Sequence, residues 1–160
     1  MAKITASDVN ALRKQTGAGM MDCKKALVEA EGDMVKAVDI LRKKGQKVAA
    51  KRADREASEG VVISATSGQF GALIALNCDT DVVAKNESFI ALAKSFLNAA
   101  MSNKPADLSA LKACLIGNMT VEEKIIEQTG VIGEKLDLST YETIESTQVS
   151  AYVHLSLIHI

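Results

Sequence analysis

The chain has 160 residues, 48% of them hydrophobic and 24% charged, with a formal net charge of −1. That is ordinary globular material for one domain of usual size or two small ones. Aromatics make up only 3%, with no Trp, so stacking platforms for single-stranded nucleic acid are poorly supplied. The cysteines, Cys23, Cys78 and Cys114, are odd in number, far apart and without a C-x-x-C pair. They argue against a disulfide framework and a zinc site and suit a reducing cytoplasm. No apolar signal core opens the chain, and no apolar run reaches the ~18 residues of a membrane span.

The charge is unevenly placed. Met1 to Gly60 carries thirteen Lys/Arg against nine Asp/Glu, and the remainder six against eleven. A mildly basic first part and an acidic second part fit a protein partner with its own charge pattern better than a nucleic-acid tract.

Thr5 to Gln15 reads as a short helix, with Thr5 and Ser7 as N-cap candidates, Asp8 at the positive end of the dipole and Gly17 to close it. A helix from about Met21 to Glu31 follows, expected to bury Met20, Cys23, Leu27 and Ala30 at spacings of three and four. Gly32 ends it. Asp33 caps a third helix through Arg42, with Val35, Val38 and Leu41 on one side. The glycine loop between the first two helices, TGAGMMD, lacks the strand and the G-K-[ST] ending of a phosphate cradle. It reads instead either as a close helix approach or, through Gly17, Gly19, Met20 and Met21, as the docking surface of a three-helix bundle of the ubiquitin-associated type, because methionine adapts to a partner.

Arg42 to Arg55 holds seven Lys/Arg and one acidic residue. As a helix it places Lys44, Lys47, Lys51 and Arg55 on one face and reads as a solvated linker, since no aromatics interleave as RNA binding would favour. The domain boundary falls there: residues 1–55 form the helical docking domain with its basic linker helix, and residues 56–160 a second domain.

Val61 to Cys78 reads as a hairpin turning at Ser67-Gly68. The segment NCDTDVVAKNESF, Asn77 to Phe89, then places Asp79 and Asp81 on a strand-to-helix turn before a helix from Glu87 to Met101. Pro105 breaks the pattern, Asp107 to Leu115 suggests a short helix, and Thr120-Val-Glu-Glu123 is a capping box. Leu136 to Glu145 alternates in part, and Val149 to His154 is strand-like. The expected fold is α+β: a three-helix bundle, a basic linker helix, then antiparallel strands with helices packed on one side.

Three classes of reading compete for the turn: enzymatic, structural and interaction. D-x-D-x-V after a buried strand resembles the first motif of haloacid-dehalogenase-type phosphatases, with Asp79 as nucleophile, Asp81 as acid/base and Mg²⁺ between them. That fold needs a parallel sheet, which a hairpin does not supply. A Cys78 nucleophile lacks a nearby base, since the histidines, His154 and His159, lie near the C-terminus. In the plainest reading Asp79 is an N-cap and Asp81 a first-turn acid. A third reading inserts the turn into a protein partner.

ITASDVNALRKQTGAGMMDCKKAL followed by EAEGDMVKAVDILRKKG resembles the amino-terminal domain of the bacterial translation elongation factor Ts family. NCDTDVVAKNESF is similar to that family's Thr-Asp-Phe-Val-Ala-Lys segment. The resemblance runs from Met1 to about Phe89 and more loosely to His154. It implies a non-enzymatic guanine-nucleotide exchange factor for elongation factor Tu, with no cofactor of its own and no direct nucleic-acid or membrane contact. The first domain would dock on the partner's GTP-binding domain. Thr80, Asp81, Val82 and Val83 would dislodge the partner's Mg²⁺, and His154 of the Tyr152-Val-His154 segment would add a partner contact. A binding module without exchange activity remains the other reading. The chain departs from the family at Val82, where Phe is usual. It also departs at Leu155 to Ile160, an apolar end foreign to the pattern and an expected association risk.

Overall fold

The computed structural model describes residues 4–152. The chain divides into two compact units, Met1–Asp54 with Ile126–Gly133, and Arg55–Ile125 with Glu134–Ile160.

The first unit is built on α1 (Ala6–Thr16), α2 (Met20–Glu29) and α3 (Met34–Lys51). A capping box starts α1: the Asp8 N–H donates to the Thr5 hydroxyl at 3.3 Å, and the Thr5 N–H donates to the Asp8 carboxylate at 2.9 Å. Those bonds, the backbone one first and then one from the Thr5 hydroxyl, hold the Asp8 carboxyl below its ordinary value. The cap is therefore complete above the unfolded value of 3.8 and weakens as pH falls through the lower folded one. Asp33 caps α3 by accepting from the N–H groups of Val35 and Lys36 at 2.9 and 3.1 Å. Val9, Leu12, Cys23, Leu27 and Ala37 close the core, with Met34, Val38 and Leu41 packed against it.

Three expectations for this unit change. Met20 is 56% exposed and Met21 63%. Met20 shares the stripe of Cys23 and Leu27 but stands in the first turn of α2, where it lines an open groove with Ile4, Val9 and Met21. Val35 is exposed instead of sharing the side of Val38 and Leu41, because it lies ~100° round the helix from Met34, outside the buried stripe. The basic stretch is continuous with the third helix, which runs to Lys51 with Arg52 as its C-cap. Arg55 lies beyond that helix and does not share its face.

In the second unit, β1 (Glu59–Ser67) and β2 (Phe70–Cys78) form the expected hairpin, and β5 (Asp137–Glu145) pairs with the other edge of β2. All pairings are antiparallel. Ser67 still pairs with Phe70, so the loop is Gly68-Gln69, one residue later than expected. Gly68 takes φ +60°, the left-handed first position that lets a two-residue loop follow the strand twist. β2 is buried along almost its whole length, which is why it reads as an unbroken apolar run and not an alternating one.

Between β2 and β5 the chain forms α4 (Asp81–Ala84), α5 (Glu87–Asn103), α6 (Leu108–Ala113), a short hairpin of β3 (Leu115–Ile116) and β4 (Met119–Thr120), and α7 (Val121–Ile132). Phe89 and Phe96 of α5 are fully buried, as are Val61, Ile74 and Leu76 of the sheet. The Thr120 capping box forms, with the Glu123 N–H donating to the Thr120 hydroxyl at 3.1 Å and the Thr120 N–H to the Glu123 carboxylate at 3.0 Å. Val149 to Tyr152 is irregular and not a strand. The Val149 N–H is taken by the Gly68 carbonyl at 3.0 Å, so the segment folds over the hairpin end instead of running beside it. His154 and the Leu155 to Ile160 end lie outside the described residues.

Within the first unit, α3 meets the Ile126–Gly133 stretch at a pair of glycines that the sequence did not single out. A Cβ on Gly130 would stand 2.5 Å from the Gly45 Cα, and one on Gly45 would stand 3.0 Å from the Ile126 carbonyl oxygen. Both obstacles are backbone, so neither can swing aside. Gly130→Ala is expected to destabilise the chain by about 1–3 kcal/mol through overpacking, read as a lower urea midpoint in circular dichroism.

Candidate functional site

The turn after β2 is organised by where the sheet ladder stops. Cys78 is the last paired residue of β2, and Thr80 takes the N-cap position of the one-turn helix α4 without making a side-chain capping bond to it. Asn86 starts α5, its side chain accepting the Ser88 N–H at 2.9 Å. Neither aspartate caps the long helix, which corrects the plainest reading of Asp79. That residue lies at the edge of the packed layer, 3.7 Å from the Arg55 guanidinium.

Asp81 is exposed on the first turn of α4 and pairs with Lys85 at 2.8 Å, one helical turn on. A solvated i,i+4 pair contributes only ~0.3–0.5 kcal/mol, so it restrains Asp81 without locking it. Val82 beside it is 74% exposed, while Ala84 is fully buried and pins the far end of the turn. Val83 is half-buried. The turn thus brings Thr80, Asp81, Val82 and Val83 together on one short projection with an acid and an apolar group at its tip.

What the sequence reading missed is the base of that projection. Thr80 donates its N–H to Glu134 at 3.1 Å and its hydroxyl to the other oxygen of the same carboxylate at 2.7 Å. The ammonium of Lys135 donates to the Arg55 carbonyl at 2.7 Å, next to the Arg55–Asp79 pair. Gly133, at φ +81° with its N–H on the Thr129 carbonyl at 2.9 Å, ends α7 so that Glu134 and Lys135 follow at once. A Gly at a helix end was a readable stop signal; that the next two side chains reach back across 54 and 80 positions was not.

Cys78 is fully buried and its thiol donates to the Thr80 carbonyl at 3.2 Å. Burial first, and then the Glu134 charge, push this thiol up to about 11. It stays protonated near neutral pH and is no nucleophile. The phosphatase reading loses its scaffold too, since the strand entering the turn is antiparallel to both neighbours.

In the first unit, Gly17 ends α1 and Gly19 takes the N-cap of α2. Met20 and Met21 then line an open groove of about 350 Å³ with Ile4, Val9 and Lys24. Of the sequence-level candidates, these four therefore sit together at the loop between α1 and α2, with Met20 and Met21 lining the groove, in a different unit from the turn.

The family described as Elongation factor TS matches residues 79–158, beginning at the turn itself. The chain belongs to the elongation factor Ts family. It is 56% identical to the elongation factor Ts of Christiangramia forsetii over 96% of this chain and 56% of that protein. It is also 56% identical to that of Flavobacterium johnsoniae, over 99% and 49%, and 49% identical to that of Parabacteroides distasonis, over 95% and 46%. The chain spans about half the length of these curated relatives. Among the described residues, no helix is long and apolar enough to cross a membrane.

The burial of the thiols sets a test of this geometry. With an aromatic disulfide reagent at about pH 8, partly exposed Cys114 should react quickly, while buried Cys23 and Cys78 should react only on unfolding. Prompt labelling of Cys78 would show that the turn opens in the native state.

Proposed function

We propose that this chain acts as a guanine-nucleotide exchange factor on elongation factor Tu, its first unit docking on the partner and its Thr80–Val83 turn loosening the bound Mg²⁺ and GDP. Family membership supports the general role in translation elongation. The observation that carries the finer reading is the projection itself: exposed Asp81 and Val82 side by side on one helical turn, held at the base by Glu134. A carboxylate brought beside a phosphate-bound Mg²⁺ competes for its coordination shell, and a displaced ion no longer neutralises the phosphates of the nucleotide. No covalent bond need change in this chain.

Energetics adds a condition. The factor promotes release only as far as it binds the empty partner more tightly than the GDP-bound one, and by the same coupling incoming nucleotide expels the factor. Docking through exposed, adaptable Met20 and Met21, beside Gly17 and Gly19, supplies affinity that need not discriminate between the two states. Discrimination then falls to the turn. His154 joins the proposed contact residues by resemblance only.

The test is release of fluorescent GDP from elongation factor Tu under excess unlabelled nucleotide. Asp81→Ala is expected to slow stimulated release about tenfold, and Val82→Phe to raise it, since a buried aromatic anchor is worth ~1–3 kcal/mol. Complex formation with no change in release rate would return the chain to the plain binding module. Equal rates for wild type and Val82→Phe would show that a ring at this position is immaterial.

A further inference from the structure

We propose that Glu134 is the positioning residue of the exchange turn, fixing where Asp81 and Val82 stand without itself reaching the partner's ion. The inference rests on the functional reading above and adds to it a residue that the turn's own sequence does not contain.

Three observations carry it. First, α4 has four residues, too few to hold a helical turn on their own because nucleation is unfavourable and hardly any propagation follows. Something outside must fix it. Second, the side chain that ordinarily does so is used elsewhere. A threonine at the N-cap normally accepts an N–H from the second or third helical residue, yet Thr80 makes no such bond and donates both its hydroxyl and its N–H to the two oxygens of Glu134. Hydrogen bonds to an ionised carboxylate are the stronger kind, and a two-point grip fixes orientation as well as distance.

Third, the grip is set by the register of the sheet. The β2–β5 pairing shifts by one residue between Ala75 and Leu76: Ala75 pairs with Thr140, but Leu76 pairs with Leu138 and Asn77 with Asp137. The ladder ends at that last pair, but counting three steps further in the shifted register matches Thr80 with Glu134, whereas the unshifted count would match it with Lys135. The extra residue is Ser139, whose hydroxyl donates to the Asn77 side chain at 2.6 Å. A bulge that re-aims one side chain beside a site is a recurrent use of this irregularity. Lys135, one position on, closes the other side by holding the Arg55 carbonyl, while Arg55 faces Asp79. The Glu134-Lys135 pair therefore holds the start of the turn, directly at Thr80 and by way of Arg55 at Asp79.

The experiment follows stimulated GDP release against concentration of the full chain, separating the maximal rate from the concentration giving half of it. Glu134→Gln keeps the size but replaces one of the two accepting oxygens by an NH2 donor and removes the charge, and is expected to lower the maximal rate about tenfold while leaving the half-saturating concentration within about twofold, because docking lies in the other unit. Thr80→Val should give a similar loss, and the double variant little more than either alone. An unchanged maximal rate in Glu134→Gln, or a rise in the half-saturating concentration alone, overturns the proposal. So do additive losses in the double variant. If wild type itself fails to stimulate release, the functional reading falls. The grip is then judged by amide hydrogen exchange over Thr80 to Ala84, where faster exchange in Glu134→Gln upholds it and unchanged protection overturns it. Thermal unfolding of each variant separates loss of the turn from loss of the fold, and Thr80→Val reads the same grip should Glu134→Gln unfold.

Discussion

The second unit depends on the antiparallel pairing of β2 with strands on both of its edges, shifted by one residue at Ala75 and Leu76 on the β5 side. A strand buried on both faces must satisfy its backbone polar groups within the ladder, since no water reaches them. Where β2 ends at Cys78, that obligation passes to side chains. The Cys78 thiol and the Glu134 carboxylate take the groups of Thr80, so the site is the sheet's termination continued by other means. The same carboxylate that holds Thr80 helps keep the neighbouring thiol protonated.

Much of this was readable where the determining interactions are local. The caps at Thr5, Asp33 and Thr120 formed as the residue types demand, because such bonds span only two to three positions. The apolar run into Cys78 and the helical spacing from Phe89 likewise predicted β2 and α5. Failures cluster where the partner is distant. Met20 and Val35 were misplaced because a three-and-four spacing gives the apolar stripe of a helix but not how far the neighbouring helices cover it. Gly45 and Gly130 lie 85 positions apart and carry no local signal of contact. Glu134 carries no local signal of its contact with Thr80, which lies 54 positions away. Of the turn, the exposed half was legible and the supporting half was not.

A further consequence concerns how a small side chain works at the tip. Val82 offers a partner far less area than a phenylalanine, so under the exchange reading less of the discrimination between empty and GDP-bound partner comes from an apolar wedge. More then rests on the placement of Asp81, and placement is a matter of entropy. A carboxylate on a fluctuating turn must be ordered when it binds, which subtracts from the affinity gained. The i,i+4 pair with Lys85 is too solvated to order it, whereas the Glu134 grip acts through the backbone N–H of Thr80, immediately before Asp81, and so constrains the direction in which α4 leaves the sheet. A weak wedge and a firm base are complementary solutions. With a larger side chain at position 82 the turn could tolerate a looser base, so the cost of losing the Glu134 grip should be greatest in the chain that carries valine there.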